Sequence, residues 1–157
     1  MSNTLNIGEA VPNFEAPATS DLHFKLSDYK GKSNLVLYFY PKDSTPGCTI
    51  EGNDFGALHE TFKGLDTEIF GISKDTMKRH DNFRAKQGFP FELISDSETE
   101  VCELFGTWQL KKTFGKEYMG IVRSTFLIDK DGVLRQQWNS VKVKGHADEV
   151  LDAVKSL

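Results

Sequence analysis

Leu35-Val36-Leu37-Tyr38-Phe39-Tyr40-Pro41-Lys42-Asp43-Ser44-Thr45-Pro46-Gly47-Cys48 decides how the chain is read. Six apolar or aromatic residues ended by a proline predict a buried strand. Asp43, Ser44, Pro46 and Gly47 then mark a turn. Thr45-Pro46 is a helix start, with threonine as N-cap accepting from a free amide and proline, its φ already fixed, at the first helical position. Cys48 therefore falls in the first helical turn, among amides that have no intrahelical partner and at the positive end of the helix dipole. A thiol attacks only as its thiolate, and an ordinary value of about 8.5 keeps it mostly protonated at neutral pH. A helix N-terminus can bring that down to roughly 3.5–7.5. The plainer reading of Cys48 is a small apolar core residue; the Thr-Pro-Gly lead-in favours the nucleophile.

The elements on either side follow from periodicity. Residues 5–17 are interrupted by prolines and read as an extended segment, and Leu22, Phe24 and Leu26 alternate as a short edge strand. After Cys48 one helix is expected to about Phe62, with Phe55, Leu58, Phe62 and Leu65 on one stripe and Gly64 stopping it. Gly52 and Gly56 each cost roughly 1 kcal/mol in a helix interior. They share the face of Cys48, which predicts close backbone packing there. Residues 67–73 read as a second buried strand. A helix then starts at Asp75-Thr76, with Met77, His80 and Phe83 inward and Gly88 at its end. Residues 91–94 are a short strand. Ser97-Glu98-Thr99-Glu100 has the form of a capping box before a helix carrying Val101, Leu104 and Phe105, and Gly106 ends it. Residues 107–120 read as a loop or lid. Residues 121–128 and 133–138 flank Asp129-Lys130-Asp131-Gly132 as a hairpin whose glycine supplies positive φ. Ala147, Val150, Leu151 and Val154 lie on one face of a last helix over about 147–156. This order predicts an α/β sandwich around a mixed sheet.

Bulk properties narrow the function classes. A length of 157 residues suits one domain, 1–157, with a sizeable core. A net charge of −4 argues against nucleic acid, and Lys142 and Lys144 read as a solvated strand edge. No apolar run approaches the about 18 residues of a membrane span. Met1-Ser2-Asn3-Thr4-Leu5 has neither a basic nor an apolar leader region. Two cysteines are too few for a disulfide scaffold and fit a reducing compartment, so the expected location is cytoplasmic. His23, His59, His80 and His146 show no metal-ligand spacing, and His80 on an inward stripe reads as a core histidine. No metal and no cofactor is expected.

Two charged residues stand out. Arg123 interrupts an apolar strand and by alternation shares a face with Ile121, Thr125 and Leu127. A buried arginine needs a partner or a ligand; it is either half of a structural ion pair or a cation beside Cys48. Glu51, one turn after Cys48, either satisfies the helix dipole or holds Arg123 in a bidentate pair. Glu51 also occupies the place of the second sulfur in a Cys-x-x-Cys dithiol protein, which argues against a thioredoxin-type reductase.

Pro41, Thr45 and Cys48 form a Pro-x-x-x-Thr-x-x-Cys pattern that resembles the peroxidatic motif of the peroxiredoxins. The fuller text from Tyr38 to Glu51 is similar to the PrxQ, or bacterioferritin comigratory protein, branch of that family. Over nearly the whole chain the resemblance implies a thioredoxin-like fold, and Arg123 in Arg-Ser-Thr stands where the family has its active-site arginine. It implies a thiol-specific peroxidase acting on hydrogen peroxide and organic hydroperoxides. Cys48 would attack one peroxide oxygen and become a sulfenic acid, with Thr45, the Gly47 and Cys48 amides and Arg123 stabilising the departing oxygen. Pro41 and Pro46 would shape the pocket. PrxQ proteins often carry a resolving cysteine at positions occupied here by Asn53 and, roughly, Arg84. Cys102 is then the only other thiol, and core packing is its expected role. The result is a one-Cys enzyme recycled by thioredoxin, glutaredoxin or glutathione, as a monomer or weak homodimer. The alternative is a non-catalytic peroxide sensor or holdase that passes its oxidation to a partner protein.

Overall fold

The structure is a computed structural model, and it describes residues 5–157. Met1–Thr4, read above as lacking a leader, lie outside the described residues. The first strand of the core, β3 (Asn34–Phe39), is buried along its whole length, as its unbroken apolar text requires for a strand covered on both faces. It lies between parallel β4 (Thr67–Ser73) and antiparallel β8 (Ser124–Ile128). With β5 (Glu92–Ser95) and β9 (Leu134–Trp138) these make a five-stranded mixed sheet in the order β5-β4-β3-β8-β9. β1 (Glu15–Pro17) and β2 (His23–Lys25) form a separate antiparallel pair.

Alternation along β3 sorts the core into two clusters. Val36, Tyr38 and Tyr40 face α1 (Pro46–Ala57), α2 (His59–Gly64), α3 (Met77–Gln87) and α5 (His146–Lys155). Leu35, Leu37 and Phe39 face α4 (Glu100–Leu104), Phe24 and Leu26. Cys48 belongs to the first cluster and Cys102 to the second, so the sheet separates the two thiols.

Several expectations change. The single helix from Cys48 breaks at Leu58, where the amide of Leu58 turns to Phe55 O, 3.2 Å, in a tighter turn. On the two sides of this break Phe55, His59 and Phe62 are all buried. The capping box does not form. Thr99 is the N-cap at φ +59° and makes no side-chain cap bond. Asp96 instead accepts the amides of Val101 (3.1 Å) and Cys102 (2.8 Å), because its buried carboxylate has no water to solvate it. Residues 107–120 are not a loop: β6 (Trp108–Thr113) and β7 (Lys116–Ile121) pair as a hairpin. Its tip is Phe114-Gly115, both at positive φ. Both of its faces are largely exposed, so no apolar alternation marks it in the sequence. The expected strand 121–128 is interrupted at Val122-Arg123, which takes Arg123 out of the alternation assumed for it. The β8–β9 hairpin, with Gly132 at φ +79°, and the apolar face of α5 are as expected.

Gly52 and Gly56 do meet close neighbours, but these are side chains and not backbone. A Cβ on Gly52 would lie 2.4 Å from Phe89 Cζ, whereas one on Gly56 would lie 3.3 Å from Pro90 Cδ. Phe89 cannot yield, since it stacks on Phe91 at 5.3 Å and meets Phe83 edge-on at 5.0 Å. Gly52→Ala should therefore lose about 2 kcal/mol in denaturant unfolding, overpacking outweighing the roughly 1 kcal/mol gained in helix propensity. Gly56→Ala should fall within about 0.5 kcal/mol of wild type, its mild contact offsetting the same gain. A more stable Gly52→Ala would remove the packing argument.

Candidate active site

Cys48 is 1% exposed at the third position of α1. Pro46 is the first helical residue, and the first intrahelical bond runs from the Thr49 amide to Thr45 O at 2.9 Å. The Gly47 and Cys48 amides precede that bond, so the free donors of the helix start lie in the same first turn as Cys48. Thr45 is the N-cap as expected, with extended backbone, but its hydroxyl does not accept an amide. It donates to Lys42 O at 2.8 Å, because the turn brings that carbonyl within reach. Pro41 is half-buried and Pro46 exposed.

Arg123 is brought in from the break between β7 and β8. Two backbone bonds hold that break: Val122 N to Thr107 O (2.8 Å) and Val141 N to Arg123 O (2.9 Å). The guanidinium forks. One nitrogen donates to Cys48 Sγ at 3.3 Å and the other to Glu51 Oε1 at 2.5 Å. The expected bidentate pair with Glu51 is thus a single bond, since the fork is shared with the sulfur, and the buried Glu51 Oε2 has no partner among the described residues. Gly47 is the residue that lets the guanidinium approach; a Cβ there would stand 3.2 Å from it.

Charge in this cluster is unbalanced, with one cation facing two acidic groups. Burial pushes the Glu51 carboxyl up to about 7, against the opposing pull of Arg123. Burial alone would lower Arg123, but the charges of Glu51 and Cys48 outweigh it and raise the guanidinium further. Folded Glu51 therefore holds its proton more tightly than an unfolded glutamate at the ordinary 4.5. The sign follows: between about pH 4.5 and 7 the folded chain binds more protons, so stability falls as pH rises, by on the order of 3 kcal/mol. Glu51→Gln should flatten that slope, so that urea midpoints of variant and wild type diverge progressively from pH 4.5 to 8. Parallel curves would refute the assignment.

Cys102 is fully buried on the far side of the sheet, its thiol raised far above the ordinary range by burial and then by Asp96. Asn53 is exposed and donates to Gln87, and Arg84 bonds Phe91 O and Glu92. His80 is the satisfied core histidine expected, both ring nitrogens having partners. What the sequence did not reveal is its company. Donor atoms of Asp43, Asp75 and His80 lie within 4.8 Å of one another, all buried. His146, eight residues beyond the hairpin expected at 121–138, was also missed. Its Nε2 meets Thr125 Oγ1 at 2.7 Å, and it packs edge-on against Phe55 and Trp138. Burial lowers it to about 4, so it is neutral beside Arg123. Neither group has a local motif; only the inward stripe placed His80.

A buried thiol at a helix start on a thioredoxin-like sheet, with a guanidinium on its sulfur, defines a thiol-based redox enzyme. The chain belongs to the AhpC/TSA family, the peroxiredoxins, which matches residues 7–137, and it is an enzyme of the thiol peroxidase class. It is 51% identical over 154 residues to Peroxiredoxin Bcp of Bacillus subtilis, covering 98% of each chain. It is 37% identical to Peroxiredoxin Bcp of Escherichia coli, covering 98% of this chain and 97% of the other. Among solved structures, a cysteine-to-serine variant of Xylella fastidiosa PrxQ superposes with a TM-score of 0.92 at 40% identity, covering 98% of both chains. The Xanthomonas campestris bacterioferritin comigratory protein, studied as trapped intermediate and ligand complexes for its alkyl peroxide reduction activity, gives 0.89 at 44% identity, covering 98% of both.

Proposed function

We propose that the chain reduces hydrogen peroxide and organic hydroperoxides through Cys48 alone, with an external thiol completing the cycle. The observation that carries this reading is the Arg123 guanidinium 3.3 Å from Cys48 Sγ, at the amide-rich start of α1. The sulfur attacks one peroxide oxygen as a thiolate. An S–O bond forms, the O–O bond breaks, and the electron pair leaves on the second oxygen, which takes up a proton as water or alcohol. Charge develops on that leaving oxygen, and fixed donors aimed at it lower the barrier. Arg123 and the Gly47 and Cys48 amides are placed for this. The Thr45 hydroxyl joins them by turning from Lys42 O.

Cys48 is left as a sulfenic acid. Cys102 lies across the sheet, and the positions of Asn53 and Arg84 offer no sulfur, so resolution by an outside thiol fits the chain best. That thiol displaces water to give a mixed disulfide, and a second thiol releases Cys48 reduced. Thioredoxin, glutaredoxin and glutathione are the candidate reductants, and the reducing cytoplasm, where they are kept reduced, is the proposed location. No helix among the described residues is long and apolar enough to cross a membrane. The same reading takes residues 1–157 as one functional domain, acting as a monomer or weak homodimer.

Mass spectrometry after one equivalent of peroxide tests the cycle. The expected product is one oxygen added at Cys48, converted to a mixed disulfide by glutathione. An intramolecular Cys48–Cys102 disulfide would overturn the one-Cys assignment. Oxidation that stops after one turnover with all three reductants would favour a sensor over an enzyme of this cycle.

A further inference from the structure

The link between β3 and α1 is fastened from below by a buried hydrogen-bonded network that includes none of the reacting atoms. Asp43 is 4% exposed and His80 0%. Asp43 Oδ1 accepts the Tyr40 hydroxyl at 2.6 Å, and Oδ2 meets His80 Nδ1 at 2.7 Å. The Asp43 amide donates to Asp75 Oδ2 at 2.9 Å, and Ser73 Oγ donates to the same oxygen at 2.5 Å. On the far side of the ring, His80 Nε2 meets Ile94 O at 2.9 Å. Both ring nitrogens thus face oxygen, and the ring spans from β5 to the middle of the catalytic link.

A buried polar pair in such a place is not needed for stability, since apolar residues of the same volume serve a core as well or better. What it supplies is a fixed position. Three residues beyond Asp43 the backbone enters α1 at Pro46, and the Lys42 carbonyl next to Asp43 holds the Thr45 hydroxyl until it turns to the leaving oxygen. A shift of Asp43 therefore moves the amides and hydroxyl around Cys48. Misplacement of about 1 Å at reacting groups can cost on the order of 100-fold in rate.

We propose that the Asp43–His80 pair is a positioning device for peroxide reduction, aligning the Thr45–Cys48 donors with the leaving oxygen. It rests on the reading of Cys48 as the peroxidatic nucleophile. The competing use of the same atoms, a divalent metal site, would require the Asp43–His80 bond to break.

The test compares two amides in place of the ring. His80→Asn puts an N–H where Nδ1 stands and keeps the bond to Asp43, whereas His80→Gln reaches toward Ile94 O and loses it. Asp43→Ala and the isosteric Asp43→Asn form the matching pair. Two rates are measured at Cys48: single-turnover oxidation by hydrogen peroxide and alkylation by iodoacetamide. Misalignment penalises peroxide, which needs the donors, more than iodoacetamide, which does not. His80→Gln and Asp43→Ala should lose at least about 30-fold in oxidation with alkylation within about 3-fold of wild type. His80→Asn and Asp43→Asn should stay within about 3-fold in both. Equal losses in His80→Asn and His80→Gln would overturn the proposal, as would oxidation and alkylation changing together. Stoichiometric zinc binding by wild type that Asp43→Ala abolishes would make the cluster a metal site instead. Wild type that fails to oxidise at Cys48 would sink the peroxidase cycle itself, an outcome distinct from these.

Discussion

Cys48→Ser should leave no measurable peroxide turnover with any thiol reductant, while Cys102→Ser should retain full turnover within a factor of about two. The first half follows from chemistry: a serine hydroxyl beside Arg123 is far less nucleophilic and cannot form a sulfenic acid. Because serine fills nearly the same volume in the 1%-exposed site, the variant should keep its fold, and circular dichroism controls for that. The second half follows from placement. Cys102 is packed against the opposite face of the sheet, and burial holds its thiol protonated. A disulfide needs its Cα atoms within about 7 Å, which two residues on opposite sides of a strand layer do not meet without rearrangement. A Cys102→Ser variant that loses turnover but keeps single-turnover oxidation would show that the second thiol resolves the first after all.

Arg123→Met should lower the rate of Cys48 oxidation by about 100- to 1,000-fold, the cost of removing one aimed donor from a developing oxyanion. Methionine preserves much of the stem that crosses the site and removes the guanidinium. Two effects combine. The sulfur loses the cation 3.3 Å away, and the leaving oxygen loses its charged donor. Glu51 also loses its hydrogen bond from Arg123 while remaining buried, so it should take up a proton and leave no stranded charge. Arg123→Met/Glu51→Gln should therefore be about as slow as the single variant but more stable, by on the order of 1–3 kcal/mol in urea unfolding near pH 8. Recovery of the oxidation rate in the double variant would mean that Glu51, and not the missing cation, causes the loss. Stopped-flow oxidation with hydrogen peroxide reads the rate, and iodoacetamide alkylation separates the nucleophile from the leaving-group donors.

The strand, turn and helix start around Cys48 were legible because each rests on local chemistry: an apolar run, a cluster of turn-forming residues, and a proline at the first helical position. Arg123 was legible as an oddity, though for a partly mistaken reason. It sits at a break between strands, and Val122 is tied to Thr107 there, a constraint that alternation cannot express. The β6–β7 ribbon escaped notice because neither of its faces is buried, so no period-two pattern was imposed on it. The capping box misled because a local match competed with Asp96, whose buried carboxylate needs the two amides more. Asp43 follows β3, whereas Asp75 and His80 follow β4; their meeting is a product of the parallel pairing of β3 and β4, and nothing short of the fold discloses it.

The partition of the two sulfurs by the sheet bears on how the protein fails under oxidant load. In the proposed one-Cys cycle no second thiol traps the one-oxygen adduct, which waits for a collision with a reductant. A second oxidant molecule arriving first carries the sulfur on to sulfinic acid, which simple thiols do not reverse. On that cycle, survival through a burst of peroxide is a race set by the concentration of reduced thiol, and the molecule would act as a fuse whose rating the cell's own thiol supply determines.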